Sequence, residues 1–327
     1  MKPFHISGAV ALAAIIAAAT PALAQTEVKV GYALAPNSHY GAGAAKWQEV
    51  VEAATDGRYV FNHFPSSGLG GEREMVEGIQ IGTVEATLVS SGTLANFVPD
   101  TGIFDIPFLF RDLAHARTVL DGPIGQEMLA KFDDVGVVAV AWGEQGFRHI
   151  TNNRGAIVTP ADIAGLKIRT MENPIHLTAF QTLGAAPTPM AWPEVIGALQ
   201  QGTIDGQENP LSVIVSANLS DVQKYLTLSG HVYSPAILLV SRSLWDRMSE
   251  EDQEAFRHGA TEAVAAMRAY VDEVESSGVA ALREQGMDVG ELDAADKLAF
   301  QEALAAAYEE YYTQYDRELI ERIIATE

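Results

Sequence analysis

Three features of the sequence predict an α/β fold built as two similar lobes. Short β-branched runs alternate with helical periodicities, the rhythm of βα units around a mainly parallel sheet. A six-residue pattern recurs, Gln80-Ile81-Gly82-Thr83-Val84-Glu85 and then Gln200-Gln201-Gly202-Thr203-Ile204-Asp205. Both copies sit where a helix ends at Gly and a β-branched run begins. The third feature is a helical stretch from Glu250 to Glu284 that keeps Ala260, Ala263, Val264, Met267, Val271 and Val274 on one face. A helix that long exceeds what one domain needs and can run across both lobes. The 327 residues suffice for two lobes and a sizeable core.

Taken in order, Glu27 to Leu34 reads as a first strand and Pro36-Asn37-Ser38 as a turn. Trp47, Val50, Val51 and Ala54 then mark a helix. Asp56-Gly57 ends that helix, and Tyr59 to Phe64 is a second strand. Gly68 to Gly71 opens a helix with Met75 and Ile79 on one face, and Val84 to Val89 is a third strand. In the second half Val135 to Trp142, Gly165 to Thr170 and Tyr233 to Val240 read as strands, with helices at about 174–184 and 193–201. Leu304, Tyr308, Tyr311, Tyr315 and Leu319 recur at helical spacing, which predicts one C-terminal helix packed by its tyrosine stripe.

Residues 1–24 form a different kind of segment. Lys2 precedes an apolar run from Ala9 to Ala19, followed by Pro21 and the small-residue site Ala22-Leu23-Ala24. This is the order of a secretory signal peptide, and the run is too short to span a bilayer. We expect an exported chain beginning at Gln25. The full sequence has 21 basic against 43 acidic residues, a net charge of −22, which disfavours nucleic acid as a partner. The chain has no Cys, which excludes disulfides, thiolate metal sites and Cys nucleophiles.

Catalytic signatures are missing: no G-x-S-x-G elbow, no P-loop, no H-E-x-x-H and no EF-hand loop occurs. Gly41-Ala42-Gly43-Ala44-Ala45-Lys46 lacks the third Gly of a dinucleotide loop. We therefore expect a binding protein rather than an enzyme, without cofactor or metal. The informative segments are Gly143 to Arg148 after a strand, Gly165 to Thr170 with Arg169 at its end, the proline-fixed loop Ala186 to Trp192, and Asp205 to Pro210. In open α/β sheets ligands bind beyond the carboxyl ends of strands, where Arg148, Arg169 and Asn209 fall.

Those segments, in this order, resemble the DctP-type solute-binding subunits of tripartite ATP-independent periplasmic (TRAP) transporters. Phe64-Pro65-Ser66-Ser67 with Leu69-Gly70, Ile106 to Phe110, and Val222 to Tyr225 before His231 add to the match. The resemblance implies a clamshell of two α/β lobes with mixed sheets, flanking helices and a long helix spanning both. Lobe I would comprise 25–145 with about 234–273, and lobe II 146–233 with about 274–327. It implies a periplasmic protein, a monomer, that delivers an organic acid to the small and large membrane subunits.

The resemblance also implies site roles. Arg169 would pair with the ligand carboxylate, Arg148 would be a second cation, Asn209 a polar contact from the opposing segment and Trp192 an aromatic wall. Glu172 falls on a side chain that varies with ligand. Asn37, His39, Glu72, Ser90 and Ser91 are first-lobe candidates. A planar guanidinium fork suits a carboxylate, giving both charge pairing and orientation. A sugar acid such as a hexuronate is favoured over a C4-dicarboxylate, because Glu172 would repel a second carboxylate. The alternatives are an exported sensory binding protein and, further off, a cleft hydrolase.

Overall fold

The structure, a computed structural model, describes residues 25–327; the signal-peptide expectation lies outside them. The strands are β1 (Thr26–Tyr32), β2 (Tyr59–Phe64), β3 (Ala86–Ser90), β4 (Val137–Asn152), β5 (Ile168–Thr170), β6 (Thr188–Pro189), β7 (Gly206–Pro210), β8 (Tyr225–Ser241) and β9 (Asp288–Glu291). They form one nine-stranded sheet in the order β2-β1-β3-β8-β4-β7-β5-β6, with β9 on β8. The expected mainly parallel arrangement holds at the two wings and in the short β8–β9 pairing. β1 pairs parallel with β2 and β3, and β5 parallel with β6 and β7. The centre is antiparallel, through β3–β8, β4–β8 and β4–β7.

The two central strands are far longer than their sequence signals, 16 and 17 residues. The sequence reading stopped at Trp142 and began at Tyr233 because polar residues interrupt the apolar runs, yet both strands continue because each is covered on both sides. One sheet therefore runs through both lobes, where two separate sheets were expected. Register shifts fall between Glu144 and Gly146 and between Arg148 and Ile150. Gly146 has φ +108 at the first of these, a conformation that strains any residue with a Cβ.

The repeat is structural. The helices Glu72–Ile81 and Trp192–Gln200 are each followed by a left-handed glycine, Gly82 at φ 74 and Gly202 at φ 69, which closes the last turn. The strands that follow, β3 and β7, flank the central pair on opposite sides. The two wings are thus copies of one βα design.

The helix Glu250–Glu284 is capped by Ser249, whose Oγ accepts from the Asp252 amide at 3.1 Å. Its first half buries Phe256, Ala260, Ala263 and Met267 against Trp47, Val51 and Leu88. Its second half places Val274 and Leu282 in a cluster with Val195, Leu199, Leu211 and Ile214. One helix thereby packs on both lobes, as its length requires.

The C-terminal region is not one helix. It divides into Ala294–Ala303, Ala305–Gln314 and Arg317–Ala325, with Tyr315 extended between the last two. The tyrosine stripe does pack inward, as expected. Tyr311, Ile320 and Ile323 join Phe104, Val119 and Leu120 of the first lobe. His115 and Arg111 bond the carbonyls of Ile323, Ile324 and Thr326. The last helix, Arg317–Ala325, therefore packs on first-lobe residues, while Ala305–Gln314 also reaches the second lobe, Tyr311 OH donating to the Ile175 carbonyl at 2.8 Å.

Candidate functional site

The carboxyl ends of β1, β3, β5, β6 and β7 converge on one cleft between the wings, with about 520 Å³ of empty space including its open mouth. Seven of the ten residues singled out from the sequence line it: Glu72, Ser90, Arg148, Arg169, Glu172, Trp192 and Asn209.

Arg169 sits on β5, paired to Thr188 of β6 and Gln207 of β7, and is 3 % exposed. Its Nε and Nη2 donate to the Met190 carbonyl at 3.0 and 2.7 Å, and its Cζ lies 5.9 Å from the Trp192 ring centroid. The proline-fixed loop supplies both contacts, which explains why Pro187 and Pro189 precede them. Nη1 donates to no group, and no carboxylate lies within ion-pair distance, among the described residues. Burial brings the guanidinium down to about 10, Glu208 resisting and Arg148 adding, so it stays charged at neutral pH.

Arg148 is fully buried and already paired. Its Nε and Nη2 reach the Glu208 carboxylate at 2.5 and 2.9 Å, Nη2 also donates to the Glu208 carbonyl at 2.6 Å, and Nη1 reaches Ser234 Oγ at 3.2 Å. Burial opposes ionisation of Glu208, but Arg148, then His176 and His231, outweigh it and hold the carboxyl well below its usual range. The Arg148 charge is thus cancelled within the chain, and the expected second cation is not a free one. Asn209 accepts from Arg148 Nη2 at 3.3 Å and donates through Nδ2 to Gln207.

The first lobe contributes an acceptor wall. Glu72 begins its helix, and its carboxylate accepts from Tyr40 OH at 3.2 Å, the Ser90 amide at 3.1 Å and Thr93 Oγ1 at 2.8 Å. Burial pushes this carboxyl above its usual range, against those donors and Arg169. Ser90 Oγ caps Gly92 and lies 3.3 Å from Ser234 Oγ. Glu172 stands at the mouth, 40 % exposed, with its carbonyl accepting from Asn96 Nδ2 at 2.7 Å.

Three candidates lie off the cleft. The Asn37 side chain is exposed, and its carbonyl accepts from Tyr270. His39 is buried against Tyr40 and Tyr270, and burial holds its imidazole at about 3, opposed by Gln145. Ser91 is buried with no partner for its hydroxyl. The first helix starts at His39, which turns that side chain inward and offers Tyr40 to the cleft instead. Tyr40, Arg73 and Thr93 also line the cleft and carry no sequence signal beyond Tyr40 being the next residue on a helix already placed there, whereas Gln145 falls within the informative segment Gly143 to Arg148.

The family model for bacterial extracellular solute-binding protein family 7, DctP, matches residues 30–314. This chain belongs to the DctP family. A solute-binding protein of Verminephrobacter eiseniae is 51 % identical to this family member, over 92 % of this chain and 90 % of the relative. A TRAP periplasmic solute-binding protein of Bordetella bronchispeptica, with density assigned to pantoate, superposes with a TM-score of 0.90 at 56 % identity, covering 93 % of this chain and all of that one. A Polaromonas protein of the same kind, bound to D-erythronate, has a TM-score of 0.91 at 49 % identity, covering 93 % and 99 %. DctP-family proteins bind small organic acids and work with TRAP membrane subunits, and the two-lobed architecture is theirs.

Proposed function

We propose that this DctP-family protein captures a small hydroxylated monocarboxylate in the interlobe cleft and delivers it to TRAP membrane subunits. It acts outside the cytoplasm, as an exported monomer without catalytic activity. The observation that carries the reading is the cleft's charge pattern. Arg169 is buried, charged and free of any carboxylate, whereas Arg148 is neutralised by Glu208. One free cation calls for one carboxylate. The buried Glu72 carboxylate opposite accepts hydrogen bonds, so it suits ligand hydroxyls and penalises a second acid group. Pantoate and D-erythronate, in the structures at 56 and 49 % identity, fit this description.

The lobes divide at the register shift between Glu144 and Gly146, opposite Ser234. The first comprises 25–145, about 234–273 and the last helix, Arg317–Ala325; the second comprises 146–233 and about 274–314.

Isothermal titration against a panel of hydroxy acids tests the reading. D-Erythronate or pantoate should bind one to one, and Arg169→Ala should weaken binding about 100-fold, the loss of roughly 3 kcal/mol of charge-assisted hydrogen bonding. Wild-type affinity in that variant would remove Arg169 from the site.

A further inference from the structure

We propose that Arg73 and Glu172 form a charge gate at the cleft mouth that makes the protein reject a second carboxylate at the far end of the ligand. The inference rests on the monocarboxylate reading above and adds two specificity-determining residues to it. Both side chains line the cleft, one from each lobe. Arg73 lies in the first turn of the helix Glu72–Ile81; its Nε donates to Glu77 Oε1 at 3.2 Å, and its Nη1 is 4.0 Å from Glu172 Oε1.

That second distance makes an ion pair without a hydrogen bond, so the guanidinium can change partners. Glu172, in contrast, cannot withdraw easily. Its backbone is tied across the cleft by Asn96 Nδ2 at 2.7 Å, and the next residue, Asn173, bonds the Gly92 carbonyl at 3.0 Å and Asp105 at 2.9 Å. The Glu172 carboxylate accepts no hydrogen bond among the described residues, so its charge is spent on the mouth and on Arg73.

The consequence is a competition. A ligand ending in a hydroxymethyl group meets a neutralised pair and can donate to Glu172. A ligand ending in a carboxylate meets the Glu172 charge, and behind it Glu72, while Arg73, the cation at the mouth, is already shared with Glu77 and Glu172. Removing the Glu172 charge frees Arg73 to take the distal carboxylate. The gate therefore selects by the oxidation level of the terminal carbon.

Matched acids isolate that one difference: D-erythronate with meso-tartrate, and D-galactonate with galactarate. Titration calorimetry at low and high salt reads the ratio of affinities within each pair. The wild type should favour the monoacid at least tenfold. Glu172→Gln should narrow that ratio at least fivefold by gaining on the diacid, more at 50 mM than at 500 mM salt. Arg73→Gln alone should weaken the diacid further, and combined with Glu172→Gln it should cancel the gain. Glu49→Gln, whose carboxylate pairs with Lys46 and does not line the cleft, should leave the ratio as in the wild type. Monoacid binding with an unchanged ratio in Glu172→Gln overturns the gate and leaves the monocarboxylate reading standing. A wild type that binds the diacid better, or none of the four acids, overturns both.

Discussion

Three arginines line the cleft, and the sequence singles out two of them, Arg148 and Arg169, as strand-end residues. Arg169 does fall near the end of β5, whereas Arg148 lies inside β4, four residues before its end. Their roles diverge through one neighbour. Glu208 lies beside Arg148 because β7 pairs with β4, so a charge that sequence left available is cancelled; Arg169 meets only the Met190 carbonyl. No local pattern announces this, since the partner is 60 residues away. Burial also sets the protein's pH response. His39 and His149 are each held near 3, chiefly by burial, against 6.5 when exposed. The unfolded chain therefore binds more protons between those values, and each histidine makes stability fall as pH drops through that window, by up to about 1.4 kcal/mol per pH unit. Glu275 works in the opposite sense. Burial, then Glu144 and Asp272, push it up to about 7 from 4.5. The native state keeps a proton the unfolded state has lost, so this contribution is whole below pH 4.5 and lost as pH rises through 7. Urea unfolding should show Glu275→Gln more stable than wild type at pH 8, by about 2 kcal/mol at most, and matched at pH 4. Equal stabilities at both pH values would mean that Glu275 titrates normally.

Among the elements, the long helix was legible because one apolar face runs from Ala260 to Val274 at helical spacing, and the structure gives it the expected span, Glu250–Glu284. The long strands were not. Their central residues Glu144, Gln145, Arg148 and His149 are polar and buried, satisfied by partners on distant segments, which breaks the apolar run that reveals a strand. The C-terminal helices were misjudged as one because a 3.6-residue period continues across Leu304 and Tyr315 while the backbone does not. Gly146 is where an element's geometry is most constrained. Its φ of +108 and the Glu275 Oε1 at 3.4 Å from a would-be Cβ make Gly146→Ala costly, by about 1–3 kcal/mol of backbone strain. The melting temperature should fall, and ligand affinity should change with it because the shift lies between the lobes. Unchanged values in both would show that the bulge relaxes freely.

For the whole molecule, the cleft's walls come from both lobes, and polar contacts already cross it at Asn96–Glu172 and Asn173–Gly92. A ligand held by Arg169 on one side and by the Glu72 wall on the other binds the closed form better, and only that difference drives closure. Small-angle scattering should show the radius of gyration falling when the cognate acid is added, and no change in Arg169→Ala at the same concentration. Identical wild-type profiles with and without ligand would show that binding and closure are separate. At a hundred times its Kd the ligand should also raise stability by about 2.7 kcal/mol.

The α/β class, the repeated βα wing, the long bridging helix, the strand ends that carry Arg169 and Asn209 and the proline-fixed loop that leads to Trp192 are legible in the sequence alone. These are properties of neighbouring residues, written in periodicity, glycine caps and proline placement. Only the tertiary structure decided that one sheet serves both lobes, that Glu208 silences Arg148, that Tyr40 replaces His39 at the cleft, and that Arg73 meets Glu172. Each of these depends on which distant segments come within a few ångströms, and charge and burial are fixed by that proximity rather than by the order of residues along the chain.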